Sequence, residues 1–349
     1  MKLRTMISGS VLAALSLALI VLWYPRLPTR LRPDRLQLPA GFEIDLFARN
    51  LGEPRSLAVS DAGTVFTASR SAGWVIALGD SDGDFVADRI DTVATGLTMP
   101  NGVAFHRGDL FVAELHRVVR FTAIESRLAR PGPPAVIYSF AAVDTWHGWK
   151  YLRVGPDGKL YVPIGAPCNV CDPDQRGFAR ILRMNLDGSD VEVFARGVRN
   201  TVGFDWHPET RELWFTDNGR DWMGADEPPD ELNRAPIAGL HFGFPFCHSG
   251  IPDPEFTSRS CSEFTSPAQE LDPHVAALGM RFYTGEMFPD EYRGAVFIAE
   301  HGSWNRLVPV GYRISLVRLE SGVPVSYAPF ATGWLRLGRV SGRPVDVAL

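Results

Sequence analysis

The chain has 349 residues, 45% of them hydrophobic, with 33 glycines, 27 prolines and a formal net charge of −5. A slightly acidic chain with no basic stripe interleaved with aromatics gives nucleic-acid binding no support. Helical periodicity is scarce while Gly and Pro are plentiful, which points to an all-β chain, and such domains often run beyond the usual domain length as one unit.

Lys2 and Arg4 precede an uncharged stretch over residues 5–24, long enough to span a bilayer as a helix. A cleavable signal has a shorter apolar core and a small-x-small site, which Trp23-Tyr24-Pro25-Arg26 does not offer. Trp23 and Tyr24 suit a membrane interface. The reading is an uncleaved signal anchor over 1–24, with a cleaved signal peptide as the alternative. A Pro/Arg linker over 25–39 then leads to a folded domain over 40–349, expected on the extracytoplasmic (periplasmic) side.

From Ser56 onward one unit recurs: a short apolar run, a Gly/Asp turn, then a second apolar run. It opens at Ser56, Gly102, Tyr151 and Gly203, about 50 residues apart, with weaker copies near Leu278 and at Arg343. Turns of this kind between apolar runs are β-hairpins. A period of ~40–50 residues with several strands per unit is the signature of propeller blades. The expected fold is a six-bladed β-propeller. Its last blade is expected to be incomplete, since Arg343–Leu349 reads as an opening strand with no turn or second strand after it. Either the segment Phe42–Phe47 covers that gap or the gene product is truncated, and truncation is preferred.

Several loops between these runs carry chemistry. Asp80, Asp82, Gly83, Asp84 and Asp88 form an oxygen-rich loop, either a Ca²⁺ site without the distal bidentate Glu or an Asx-stabilised turn. His147 and the pair Arg199-Asn200 lie in equivalent loops, each leading into a blade, so an ordered ring brings them to one mouth. Imidazole takes protons, and the Arg fork and the Asn amide donate to an oxygen that gains charge. The acidic stretch from Asp217 to Asn233 combines a Gly turn with carboxylates, oxygen ligands suited to Ca²⁺.

Four cysteines fit an oxidising compartment and allow three pairings; the simplest is Cys168–Cys171 with Cys247–Cys261. Cys168-Asn169-Val170-Cys171 has no second CxxC for a zinc site, no βαβ context for a redox motif, and no following His for haem attachment.

Taken in order, the stretch His147–Val162, Arg196-Gly197-Val198-Arg199-Asn200, Asp217-Asn218-Gly219-Arg220 with Pro229–Asn233, Glu300–Arg306, and Gly342–Val347 resemble the pyrroloquinoline quinone-dependent sugar (pyranose) dehydrogenases of the sorbosone dehydrogenase-like group. The resemblance covers about residues 38 to 349. It implies a six-bladed propeller holding the quinone and Ca²⁺ over its channel. It assigns His147 as the base and Arg199 and Asn200 as donors to the quinone oxygens. Arg343 would contact the cofactor carboxylates, and Arg306 would be a further cofactor contact. The carbonyls of Gly219 and Arg220 would ligate Ca²⁺, with Asp230 and Glu231 in the metal region. Arg220 stands where some relatives carry proline, which a backbone ligand tolerates.

The implied function is a membrane-tethered quinoprotein oxidising an aldose or sugar-derived aldehyde, with a small sugar as substrate and an electron acceptor that the sequence does not name. The alternatives are a non-catalytic, degenerate binding propeller and a Ca²⁺-dependent lactonase-type hydrolase.

Overall fold

The structure, a computed structural model, describes residues 32–172 and 176–349. The apolar segment over 5–24 lies outside the described residues. Among those described, no helix is long and apolar enough to cross a membrane.

Five antiparallel blades follow one another along the chain. Blade 1 runs through Leu57–Val59, Val65–Ser69, Trp74–Gly79 and Arg89–Ala94, and blade 2 through Gly102–His106, Asp109–Ala113, Arg117–Phe121 and Ala135–Ser139. Blade 3 comprises Arg153–Val154, Leu160–Ile164, Arg180–Met184 and Glu192–Arg196. A fifth strand, Leu240–His241, joins its outer edge in parallel. Blade 4 holds Phe204–Trp206, Leu213–Asp217, Pro229–Ala235 and Gln269–Pro273; blade 5 holds Ala277–Phe282, Val296–Glu300, Arg313–Glu320 and Val323–Ala331.

The Gly/Asp turns close hairpins as expected, with Ala58 opposite Phe66 across the first and Phe204 opposite Phe215 across the fourth. Second strands are buried on both faces, which is why they read as unbroken apolar runs: Leu160–Ile164 and Val296–Glu300 are buried throughout. Outer strands such as Val323–Ala331 are exposed along most of their length.

The core is a series of sheet-to-sheet layers. Phe66 and Val103 pack between blades 1 and 2, Phe111 and Leu160 between 2 and 3, Tyr161 and Phe215 between 3 and 4, and Trp214 and Met280 between 4 and 5. Toward the axis the innermost strands crowd, and two glycines make this possible. A Cβ on Gly203 would lie 2.2 Å from the Leu278 carbonyl oxygen, and one on Gly102 would lie 2.7 Å from that of Lys150.

Between blades 5 and 1 the ring continues through the segment after Arg343. Gly279 N–H donates to the Val345 carbonyl at 2.9 Å, and Asp346 accepts from Leu57 N–H at 2.9 Å. The other side of blade 5 is covered by Phe42, whose ring meets Phe288, Tyr292 and Phe330 edge-on. Residues 42–47 form no strand; this segment contributes aromatic packing rather than backbone pairing. Within the part of the expected linker that is described, Gln37 bridges Thr332. Both disulfides have the simplest pairing, Cys168–Cys171 and Cys247–Cys261.

Candidate active site

All innermost strands start at the same end of the ring, so the residues just ahead of them meet at one mouth. There they line a cavity of about 1150 Å³. His147, Arg199, Asn200, Gly219, Asp230 and Arg343 all contribute to its wall. A larger cavity of about 1590 Å³, between the N-terminal segment and residues near Arg336, contains none of the expected site residues.

His147 takes a left-handed backbone conformation (φ 48°) at the turn ahead of blade 3. Its Nδ1 lies 2.8 Å from the Ala166 carbonyl, which can only accept, so Nδ1 carries the proton and Nε2 keeps its lone pair. Burial and then the nearby Arg199 charge hold this imidazole well below its usual pKa, hence neutral near pH 7. Gly165 permits the approach: a Cβ there would fall 2.7 Å from that of His147. Ala166 also donates its N–H to the Arg199 carbonyl at 2.8 Å, so one residue fixes both groups.

Arg199, only 4% exposed, is held by four hydrogen bonds. Nε and Nη2 donate to Asn169 O and Oδ1 at 2.9 Å each, Nη1 to Asn218 O at 3.0 Å, and Nη2 to Asp221 at 3.5 Å. One Nη1 hydrogen is left over for a ligand. The backbone N–H groups of Arg199 and Asn200 both donate to Asp217, at 2.8 and 2.6 Å. The side-chain amide of Asn200, buried in the cavity wall, has no protein partner among the described residues.

In this wall and just behind it stand carboxyls that burial makes basic. Asp217 is pushed up to about 8 by burial and by Glu231, and Asp230 to about 7 by burial. Asp230 accepts from Gly219 N–H at 2.9 Å and so fixes the Gly219 turn. Glu231 is buried one strand position on, away from the cavity, where Ser249 and Asn233 satisfy it. Arg220 does not line the cavity; its buried side chain pairs with Asp253 at 2.5 Å and Glu255 at 2.9 Å. Only its backbone belongs to the turn.

Arg343 donates to the carbonyls of His301 and Gly302 and lies 5.3 Å over the Tyr312 ring. Arg306 is not in the cavity wall. Its guanidinium ties Asp226, at 3.2 Å, to the Pro273 carbonyl. The Asp80, Asp82 and Asp84 carboxylates converge within 4.8 Å of one another, yet Asp80 is engaged by the N–H groups of Gly83 and Phe85 in its own loop.

Two cavity arginines escaped the sequence reading. Arg55 is lowered to about 10 by burial and by Arg70 and Arg343, so three guanidinium groups face one another across this wall. Burial, Arg343 and Arg55 lower His301 to about 3, and its Nδ1 contacts the Pro344 carbonyl at 2.9 Å. Arg55 stands two residues before the innermost strand Leu57–Val59, as Asn200 stands four before Phe204, and that positional rule would have found it. Guanidinium groups that repel one another suit an anionic ligand with several carboxylates. The basic carboxyls behind the Gly219 turn suit a cation beside it. The residues present therefore fit a polyanionic cofactor paired with a hard metal ion.

Fold and site together define a β-propeller with a polyanion-receptive cavity and a neutral histidine at one mouth. The model of the Glucose / Sorbosone dehydrogenase family matches residues 140–303. An uncharacterized protein of Borreliella burgdorferi is 33% identical over 331 residues, 89% of this chain and 85% of that protein. The chain belongs to the Glucose / Sorbosone dehydrogenase family. Among solved structures, the holo form of the pyranose dehydrogenase PQQ domain from Coprinopsis cinerea superposes with TM-score 0.76 at 16% identity, covering 92% of each chain. The calcium structure of a Trichoderma reesei carbohydrate-active enzyme of Family AA12 superposes with TM-score 0.76 at 21% identity, covering 87% of this chain and 88% of that one. At such identities both likenesses speak for the fold.

Proposed function

We propose that this chain is a quinoprotein dehydrogenase that binds pyrroloquinoline quinone with Ca²⁺ at this mouth and oxidises an aldose or sugar-derived aldehyde. The observation that carries the reading is the convergence, in one cavity, of a neutral His147 with the guanidinium groups of Arg55, Arg199 and Arg343. When bound, the quinone supplies an electrophilic hydride acceptor, polarised by its metal ion.

The remaining work falls to the protein. His147 Nε2 accepts the proton of the sugar's anomeric hydroxyl as the anomeric C–H leaves as hydride, and an aldose is thereby converted to its lactone. Arg199 Nη1 and the Asn200 amide donate to the oxygen on which negative charge develops. Arg55 and Arg343 neutralise carboxylates of the cofactor. The Gly219–Arg220 backbone, fixed through Asp230, supplies carbonyl oxygens to Ca²⁺. Arg306 has no part in this, since its side chain is committed elsewhere.

The same reading gives the propeller six blades, the sixth starting at the segment after Arg343 that runs between blades 5 and 1. It also keeps residues 1–24 as an anchor and the propeller outside the cytoplasm, which two disulfides support. The test is calorimetric titration of the protein with pyrroloquinoline quinone and Ca²⁺, followed by dye-coupled turnover with a panel of aldoses. Saturable, Ca²⁺-dependent binding together with turnover is expected. A folded protein that binds no quinone overturns the reading in favour of a non-catalytic propeller.

A further inference from the structure

Arg199 and the turn around Asp221 come from different loops of blade 4, yet a third element from blade 3 binds both. That element is the four-residue loop closed by Cys168–Cys171, which follows the strand Leu160–Ile164 and the Ala166 contact to His147 and Arg199. Asn169, inside this loop, commits its carbonyl and both ends of its side chain to the site. Its carbonyl accepts from Arg199 Nε at 2.9 Å. Its Oδ1 accepts from Arg199 Nη2 at 2.9 Å and from the Asp221 backbone N–H at 2.8 Å, and its Nδ2 donates to the Asp221 carbonyl at 3.0 Å.

The pair of bonds to Arg199 matches the planar fork of the guanidinium, so it fixes direction as well as position. The pair to Asp221 fixes both backbone groups of one residue, which a side chain that only donates or only accepts cannot do. The loop is itself anchored: Cys168 and Val170 pack against Ala166, Ala179 and Phe244. A bridge across so short a loop restricts the unfolded chain less than the bridge from Cys247 to Cys261 does. Its main effect is local, holding the backbone of Asn169 in one place.

We propose that the Cys168–Cys171 loop is a positioning element of the site, in which Asn169 sets the direction of Arg199 and the place of Asp221 for the anionic cofactor at the mouth. The identity of that cofactor rests on the reading above; the clamp does not.

The experiment compares the wild-type protein with Asn169→Ala, Asn169→Asp, Asn169→Leu and the double variant Cys168→Ser/Cys171→Ser, which leaves the other disulfide intact. Two quantities are measured. One is hydrogen exchange of the Asp221 amide in the cofactor-free protein, and the other is the Kd for pyrroloquinoline quinone with Ca²⁺ by calorimetry. Asn169→Ala and the double Ser variant are expected to speed Asp221 exchange tenfold or more and to weaken quinone binding at least tenfold, without loss of the folded transition. Asn169→Asp keeps the acceptor oxygen and is expected to recover most of the affinity, whereas Asn169→Leu, of similar size but without the acceptor, is not; a merely space-filling residue would be rescued by both.

Unchanged exchange in both Asn169→Ala and the double Ser variant overturns the clamp. Faster exchange with unchanged quinone affinity overturns its assignment to the site. If Asn169→Ala does not fold, the double Ser variant decides alone. If the wild-type protein binds no quinone, the functional reading falls, and the clamp is judged by exchange.

Discussion

Gly203→Ala tests how tightly the bore is built beneath the site. The added Cβ would lie 2.2 Å from Leu278 O, 2.5 Å from Gly279 Cα and 2.7 Å from Leu278 C. All three are backbone atoms of the neighbouring blade, so no side chain can swing aside, and the strand Ala277–Phe282 has to move. Overpacking costs ~1–3 kcal/mol in general, and rigid backbone puts this case at about 3 kcal/mol. With an unfolding entropy of ~2.1 cal/mol/K per residue over roughly 315 described residues, Tm should drop by ~5 °C. The displaced strand also carries two bonds from blade 4: Thr216 Oγ1 to Leu278 O at 2.6 Å and Asn218 Nδ2 to Ala277 O at 3.0 Å. Asn218 is the carbonyl partner of Arg199, so quinone affinity should fall along with Tm. The comparison is Gly63→Ala, whose Cβ meets open space and whose φ of +83° costs only the ~1–2 kcal/mol of a left-handed backbone. Scanning calorimetry of both variants decides the matter. A Gly203→Ala protein that loses no more Tm than Gly63→Ala refutes the close-packed bore.

Four further outcomes follow from the site. His147→Gln should leave the quinone Kd within threefold and lower dye-coupled kcat by ~10²–10⁴, the usual contribution of a positioned base; a loss under tenfold removes His147 from the chemistry. Because burial depresses its pKa, the base stays neutral below the usual imidazole range, so the acid limb of kcat/KM should lie below pH 6.5; a limb at or above 7 contradicts this environment. Arg55→Ala should weaken quinone binding ~10–100-fold, the loss of a hydrogen bond to a charged group, while Arg306→Ala stays within threefold; calorimetry that reverses this order overturns the cavity assignment. For Asp217 and Asp230 the folded pKa values are raised, to about 8 and about 7, so their stability contribution is complete below about pH 4 and is lost as pH rises through 7–8. The apo-protein's Tm should therefore decline between about pH 4 and 8 and level off above, and the increment gained on adding Ca²⁺ should widen over the same range; a pH-independent increment argues against a cation beside these carboxyls.

What the sequence makes legible here is what is local. Each hairpin is written in a few adjacent residues, so Asp61-Ala62-Gly63 between two apolar runs is enough to place Leu57–Val59 against Val65–Ser69. The shared phase of His147 and Arg199 follows from the same repetition, and Arg55 was available by the rule that located them. Side-chain direction is another matter. Arg220 and Arg306 sit in loops whose neighbours reach the cavity, Gly219 before the one and Asn305 before the other, yet both guanidinium groups turn toward carboxylates from segments distant in sequence. A loop sets where a Cα lies; the partner that captures a long side chain is chosen by the whole fold. Ring continuity is equally nonlocal. Asp346 with Leu57, and Phe42 with Phe288 and Phe330, join residues hundreds of positions apart, with no pattern in either partner to announce the pairing. Asn169 combines both difficulties. In sequence it is one of two residues between two cysteines, and the bridge announces only rigidity. What the rigidity is for emerges once blade 4 folds against blade 3 and delivers an arginine fork and a backbone turn to the same amide. The site's precision thus resides in contacts between blades, while its residue types are written within them.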